Sequence, residues 1–462
     1  MIFNLENEPL YIAYLQSKVA NVIFEVLCPT LKFEVGQLQI FPITNFEQHF
    51  LKKNLKRAED SIELSTNDWD SRETSWDFQK NEMIRVNKEG GIETLEEAYD
   101  HYKQHWQNKF YQLHQNEEEL NRQFIEIYGL QDELTPDVPL DEISILQEET
   151  RIKNGKLEFD LKEVLAQLVS YAVGCMFGRY SLDKPGLILA NQGETLSDYT
   201  RIVKNGSEVL EHEPAGNAEQ VAETVHLING SGGSTDRHPE PANDNNPEIT
   251  FWPDDANIIP ILDDEWFEDD IVSRFHEFLK VSFGAKGFPK SLSYLEEHLG
   301  KDLRRYFVRD FYKDHVSRYK KRPIYWKFTS PKGYFSVLIY MHRYTPDTLN
   351  NILNNYLREF VEKLKTRKEH MQHLENTGLS AEKTKATKEI DKLNEMIQDC
   401  QTYEREILYP LASERIQIDL DDGVLVNYNL FGQAVEEIKG VNDPKTKAKV
   451  KGFDWIDGSR VR

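Results

Sequence analysis

Arg322-Pro-Ile-Tyr-Trp-Lys-Phe-Thr-Ser-Pro-Lys-Gly-Tyr-Phe-Ser-Val-Leu-Ile-Tyr-Met341 decides the fold class of this chain. Its two halves, 324–328 and 334–341, are rich in aromatic and β-branched residues. Between them Ser330-Pro-Lys-Gly333 supplies the fixed φ of proline and the free φ of glycine. The pattern predicts a β-hairpin over 323–342. Helical periods surround it. After Pro346, Leu349, Ile352, Leu353, Tyr356, Leu357, Phe360, Val361 and Leu364 make one seam, and Ile390, Leu393, Ile397, Cys400, Ile407 and Leu411 make another. With Asn376-Thr-Gly-Leu-Ser380 near the turn, this reads as an antiparallel coiled-coil hairpin of two helices of roughly 30 residues each. The expected fold is therefore α+β, helix-rich and multidomain.

Working upstream, residues 8–28 carry apolar positions at helical spacing and stop before Pro29, and 31–43 is extended in character. Residues 93–128 read as one long helix. Its stripe is Tyr99, Tyr102, Trp106, Phe110, Leu113, Leu120, Phe124 and Ile127, and its regular spacing marks a packing seam rather than a ligand box. A helix over about 160–178 is apolar nearly all round and should be buried. Gly230-Ser-Gly-Gly-Ser-Thr235 and the Pro/Asn-rich 238–247 read as a linker, without the strand and Lys-Ser/Thr of a phosphate loop.

The chain has 462 residues and a formal charge of −23, from 79 acidic and 56 basic side chains. That sum argues against a protein that coats nucleic acid uniformly but leaves room for a local basic face. Three cysteines, Cys28, Cys175 and Cys400, stand far apart without zinc spacing and read as free thiols. Neither a signal peptide nor an apolar run of spanning length is present, so no membrane is expected and the location read is cytoplasmic.

One stretch reverses the overall charge. Residues 301–332 interleave Lys and Arg with Tyr306, Phe307, Phe311, Tyr312, Tyr319, Tyr325 and Trp326, so long cationic side chains would project from an anchored surface. Arg304, Arg305, Arg309, Lys313, Arg318, Lys320, Lys321, Arg322, Lys332 and, further on, Arg343 are the candidates for contact with double-stranded DNA, since phosphate binding needs such an array. The competing reading is a solvated face paired with the acidic run Asp263-Asp-Glu265 and Glu268-Asp-Asp270. The residues alone leave both open. That acidic run could also ligate magnesium, though no nuclease core accompanies it. His315 and His342, near Asp310, Asp314 and Asp347, read as surface polar groups rather than acid/base machinery. The tail from Lys439 to Arg462 is a second, weaker basic candidate.

Three composite segments, Tyr171-Ala-Val-Gly-Cys-Met-Phe-Gly-Arg-Tyr-Ser-Leu-Asp183, Asn257-Ile-Ile-Pro-Ile-Leu-Asp-Asp-Glu-Trp-Phe-Glu-Asp-Asp270 and Arg322-Pro-Ile-Tyr-Trp-Lys-Phe328, resemble in order and spacing the C-terminal region of the PglX family. These are adenine-specific DNA methyltransferases of BREX phage-defence systems. The resemblance implies DNA contact by the basic band. Such enzymes also need a glycine-rich turn for S-adenosylmethionine and an Asn/Asp-Pro-Pro-aromatic loop for the flipped base. Gly174-Cys-Met-Phe-Gly178 and Asn245-Asn-Pro-Glu248 are the nearest matches here, and neither meets the requirement. No catalytic, cofactor-binding or metal-binding residue is therefore assigned, and S-adenosylmethionine is expected only in an N-terminal half that this chain lacks. The missing half and other BREX proteins are the implied partners.

The expected organisation is a methyltransferase-lobe remnant over 1–50 and a helical region over 51–189. A variable linker over 190–250, a DNA-recognition region over 251–345, the hairpin over 346–415 and a basic tail over 416–462 follow. Two further functions compete with DNA recognition, a protein–protein scaffold and a hidden enzyme, the latter disfavoured by the missing motifs.

Overall fold

The computed structural model describes residues 7–27, 40–43, 48–204, 249–453 and 461–462. Most of the expected strand at 31–43, the Gly- and Pro-rich stretch at 230–247, and Cys28 lie outside them. The chain is helix-rich with small antiparallel sheets.

The first apolar run forms two helices, α1 (Glu8–Gln16) and α2 (Lys18–Leu27), rather than one. Ser17 explains the break. Its backbone is extended (φ −73°, ψ 160°), which ends α1. Its hydroxyl accepts from the N–H of Ala20 at 3.3 Å, which caps α2. The two axes meet at 66°. No single helix among the described residues is long and apolar enough to cross a membrane, although this bent pair together has the length and composition. Part of its apolar side is packed: Leu10, Tyr14, Val19 and Ala20 form a core with Phe50 and Ala58 of α3 (Gln48–Asp70) and with Leu120, Phe124 and Ile125, while Ile12, Val22 and Val26 stay exposed.

Those last three residues belong to α5 (Leu95–Tyr128), which follows α4 (Glu82–Gly90). Thr94 caps α5 and Gly129 ends it in the left-handed conformation. At 1.5 Å per residue this helix is about 50 Å long. Its N-terminal stripe, Tyr99 to Leu113, enters the main core while its C-terminal end serves the smaller one. The expected stripe holds except at its end, where Ile125 is buried and Ile127 is 38% exposed.

A short β-hairpin, β1 (Thr150–Lys153) and β2 (Lys156–Phe159), precedes α6 (Leu161–Met176), in which every residue from Leu168 to Met176 is buried. Gly174 there is required by packing, since a Cβ would sit 2.4 Å from the ring of buried Tyr180. Gly174→Ala is accordingly expected to cost about 1–3 kcal/mol through overpacking, seen as a lower urea midpoint at unchanged slope.

After α7 (Leu196–Lys204), strand β3 (Ile259–Pro260) leads into α8 (Ile271–Leu299). α8 bends where Gly284 leaves helical geometry. α9 then runs as Leu303–Tyr306, a π-helical segment Phe307–Phe311, and Tyr312–Arg318. The hairpin at the centre is β4 (Tyr325–Thr329) and β5 (Ser336–Tyr340), with Tyr325 opposite Tyr340 and Thr329 opposite Ser336. β3 adds to the free edge of β5, giving the order β3-β5-β4. Every residue of β5 is buried, so the sheet is covered on both faces.

Two long helices close the main core. α10 comprises Thr348–Asn351, a π segment Ile352–Leu357 and Arg358–Thr377. α11 comprises Ser380–Tyr403, a π segment Glu404–Leu408 and Tyr409–Glu414. They lie antiparallel, with Arg358 on Glu404 at 2.7 Å near one end and Thr387 on Glu375 at 2.7 Å near the other. The tail holds α12 (Val424–Asn429) and α13 (Pro444–Val450).

Candidate nucleic-acid interface

α9 positions the cationic band. Asp302 caps it by accepting from the N–H of Arg305 at 2.9 Å. Tyr306, Phe307, Phe311, Tyr312 and His315 are buried, which turns Arg305, Arg309 and Lys313 to solvent. In an ideal α-helix residues four apart drift by about 40° around the axis per step. The π segment takes more residues per turn and so turns that drift back, which keeps the three cations closer to one line. Beyond the helix end, Lys320 and Lys321 both hold left-handed backbone (φ 50° and 63°), and both are exposed beside exposed Arg322. Left-handed geometry costs an ordinary residue roughly 1–2 kcal/mol, so two consecutive lysines there are a costly way to end a helix. Favourable pairing with the helix C-terminal dipole offsets part of that cost.

The ten candidates divide by environment. Arg304 donates to Asp270 at 2.6 Å and to the carbonyls of Leu262 and Asp264 at 3.2 and 3.1 Å. Arg318 donates to Glu163 at 2.8 Å and is 13% exposed. Arg343 is 8% exposed, holding the carbonyls of Phe177, Asp254 and Asp255. These three have structural partners. Arg305, Arg309, Lys313, Lys320, Lys321, Arg322 and Lys332 are exposed, with no carboxylate partner for their side chains among the described residues. Lys332 stands apart. It occupies the hairpin turn, one strand length, roughly 16 Å, from the Arg322 end. The tail candidate comes closer, since a Cβ at Gly440 would lie 3.4 Å from Lys321 Nζ.

The acidic run leaves most of the band free. Asp263 pairs with Lys392 and Asp264 with Arg367, each at 2.8 Å, so the run mainly ties down the α10–α11 pair. From the band it takes Arg304 alone among these pairs.

His315 is a correction to the sequence reading. It is 1% exposed, and its Nε2 accepts from the N–H groups of Ile324 and Tyr325 at 3.2 Å each. Burial, with Arg318 and Arg179 adding to it, lowers its pKa to about 3. It therefore fastens the end of α9 to the start of β4 as a neutral acceptor. His342 is half-buried, and burial lowers it to about 4. Cys175 and Cys400 are buried free thiols.

Beside the C-terminal end of α9 opens a cleft of about 470 Å³, walled on the other side by the loop after α3. Sequence reasoning missed this feature. The signal was present, because Trp69 and Trp76 stand in the polar stretch Asn67-Asp-Trp-Asp-Ser-Arg-Glu-Thr-Ser-Trp76, where no apolar period calls for an indole.

Scanned against models of known protein families, the chain matches none. Individual proteins do match. It is 30% identical over 452 residues to the adenine-specific methyltransferase BrxX of Escherichia coli O9:H4 (strain HS), covering 93% of this chain and 33% of that protein. It is 31% identical over 430 residues to the adenine-specific methyltransferase PglX of Lacticaseibacillus casei (strain Zhang), covering 90% of this chain and 30% of that one. The chain thus spans about a third of the length of the curated relatives it matches. By sequence, then, it is related over nearly its whole length to one third of the adenine-specific methyltransferases represented by BrxX and PglX.

Proposed function

We propose that this chain is the DNA-recognition and C-terminal part of a site-specific adenine DNA methyltransferase of a BREX phage-defence system. The α9 face meets double-stranded DNA in the cytoplasm. S-adenosylmethionine binding and methyl transfer belong to the two thirds of the relatives' length outside the match, and other BREX proteins are further partners. The observation that carries this reading is the α9 face itself, a line of exposed cations without carboxylate partners among the described residues in a chain of net charge −23. Cations on a surface this acidic that are not used internally have phosphate as their natural partner.

The test is duplex binding against salt. Affinity should fall steeply between about 50 and 200 mM. Replacing Arg305, Arg309 and Lys313 together by Ala should lower affinity at least about tenfold and reduce the slope of log K against log salt by about 3, one per phosphate contact. Unchanged affinity and slope in the folded variant would reject the α9 interface. The second reading, a protein–protein scaffold, has one observation in its favour: Leu379, at the turn between α10 and α11, is 76% exposed. Loss of partner capture on Leu379→Asp, with DNA binding intact, would favour it.

A further inference from the structure

A second cavity of about 470 Å³ opens where the α1–α2 pair, α3 and α5 meet, and none of the α9 cations lines it. Pockets that take small molecules span about 300–1,000 Å³, so it has room for one. Its apolar wall is aliphatic throughout, with Ile12 from α1, Ile62 from α3, Leu113 from α5 and Val138 from the loop that follows. The polar groups of the lining are mostly acceptors. Half-buried Glu117 of α5 and exposed Glu142 of the following loop bring two carboxylates, and neither side chain has a hydrogen-bond or ion-pair partner among the described residues. Ser61 and Ser65 of α3 donate their hydroxyl protons to the carbonyls of Arg57 and Ser61, at 2.9 and 3.0 Å, and Ser17 donates to that of Tyr14 at 2.7 Å. A hydroxyl so engaged has only acceptor capacity left. Lys18, the one cation in the lining, gives its amine to the carbonyl of Asp137. A carboxylate drawn partly out of water without a counter-ion is costly, so the cavity combines an apolar wall with acceptors that lack a donor.

We propose that this cavity binds a small aliphatic amine, with its ammonium group at Glu117 and Glu142 and its hydrocarbon body against Ile12, Ile62 and Leu113. The site goes beyond the duplex reading and does not rest on it. An ammonium brings three donors and no acceptor, which is what the lining lacks. The net charge of −23 favours entry of a cation. A quaternary ammonium calls for aromatic rings, and the cavity has none in its lining. An anion would meet two carboxylates. Burial raises the pKa of Glu117 to about 7, with His114 opposing and Glu142 adding to it. The groups around it are therefore Glu142, His114, whose Nε2 donates to the carbonyl of Val138 at 2.8 Å, and Lys18 across the cavity. An arriving ammonium favours the ionised carboxylate, so binding releases a proton near pH 7.

The experiment is calorimetric titration of cyclohexylmethylamine into the full chain. Saturable binding is expected at about 1 mM or tighter. Cyclohexylmethanol has the same body without the charge, and methylamine has the charge without the body. Each should bind at least about tenfold more weakly. Affinity for cyclohexylmethylamine should rise as pH rises towards about 7 and level off above, because the free carboxyl no longer has to lose a proton there. Glu117→Gln keeps the shape and removes the charge. It should weaken binding about tenfold and abolish the pH dependence. Ser65→Leu fills the cavity from a helix in which leucine is the better helix former, and should block binding with the circular dichroism spectrum unchanged. Parent affinity in either variant overturns the proposal, as does the absence of saturable binding to the parent. Equal binding of methylamine and cyclohexylmethylamine also overturns it, since that reports only cations gathering on an acidic surface.

Discussion

Asp270→Ala is expected to lower the unfolding free energy by about 3–5 kcal/mol, the cost of breaking a buried ion pair by removing one partner. Asp270 is fully buried, and its two oxygens do different work. Oδ1 caps α8 by accepting from the N–H of Ser273 at 2.9 Å, while Oδ2 takes Arg304 at 2.6 Å. The guanidinium of Arg304 then reaches the carbonyls of Leu262 and Asp264. One carboxylate thus joins the start of α8, the start of α9 and the acidic loop. Deleting it strands a guanidinium whose side chain is only 21% exposed. Asp270→Asn retains the cap and should lose less, since the cap alone is worth about 1 kcal/mol. The measurement is urea unfolding of both variants. A loss under about 1 kcal/mol for Asp270→Ala would mean that the pair adds nothing beyond the cap. The same geometry separates Arg304 from the exposed cations of α9. Arg304→Ala should destabilise the fold, and whatever protein remains folded should bind duplex as the parent does. The opposite pair of results would return Arg304 to the interface.

The elements legible in the sequence are those in which one physical signal acted alone. α5, α6, α10 and α11 carry long apolar periods, and the β4–β5 hairpin has its turn residues in place, so pattern and packing agree. The β1–β2 hairpin was also written in the chain, as Asn154-Gly155 with both residues at positive φ (52° and 70°), the strongest short-range hairpin signal. It was overlooked because the flanking strands, only four residues each, are largely polar and exposed. β3 left no such trace. Two residues, one of them proline, join the sheet only because the free edge of β5 needs a partner.

At the candidate interface the sequence displayed the cations but could not divide them. Arg304 and Arg305 are neighbours of the same type, yet one is held by Asp270 and the other faces solvent. The partner that decides between them is 34 residues away. Arg318 depends in the same way on Glu163, and Arg343 on carbonyls from two other segments. A charge run reports composition, whereas burial and pairing are properties of the assembled chain.

His315 should make the protein acid-sensitive by up to about 4–5 kcal/mol, the integral of a pKa difference between about 6.5 unfolded and about 3 folded. The sign follows from proton uptake. Above about pH 6.5 the imidazole is neutral in both states and contributes no pH dependence. Between about 6.5 and 3 the unfolded chain binds a proton that the native chain refuses, so stability falls as pH falls, by about 1.4 kcal/mol per pH unit. Burial is the main cause, and Arg318 and Arg179 add to it. A proton on Nε2 would also face two backbone N–H donors, from Ile324 and Tyr325, where the neutral ring accepts. Other groups act in opposition. Burial raises Glu117 to about 7 and Asp254 to about 6, so below those values the native state holds their protons more readily. The parent curve alone therefore mixes the two directions, and the reading is the difference between the parent and His315→Gln, whose amide oxygen can still accept at the same place. That difference should rise with pH between about 3 and 6.5 and be flat above. A flat difference throughout would show that His315 titrates normally in the fold. Because His315 fastens both ends of the turn that carries Lys320, Lys321 and Arg322, acid should loosen that turn before the chain unfolds globally, and duplex affinity should decline in the same pH window.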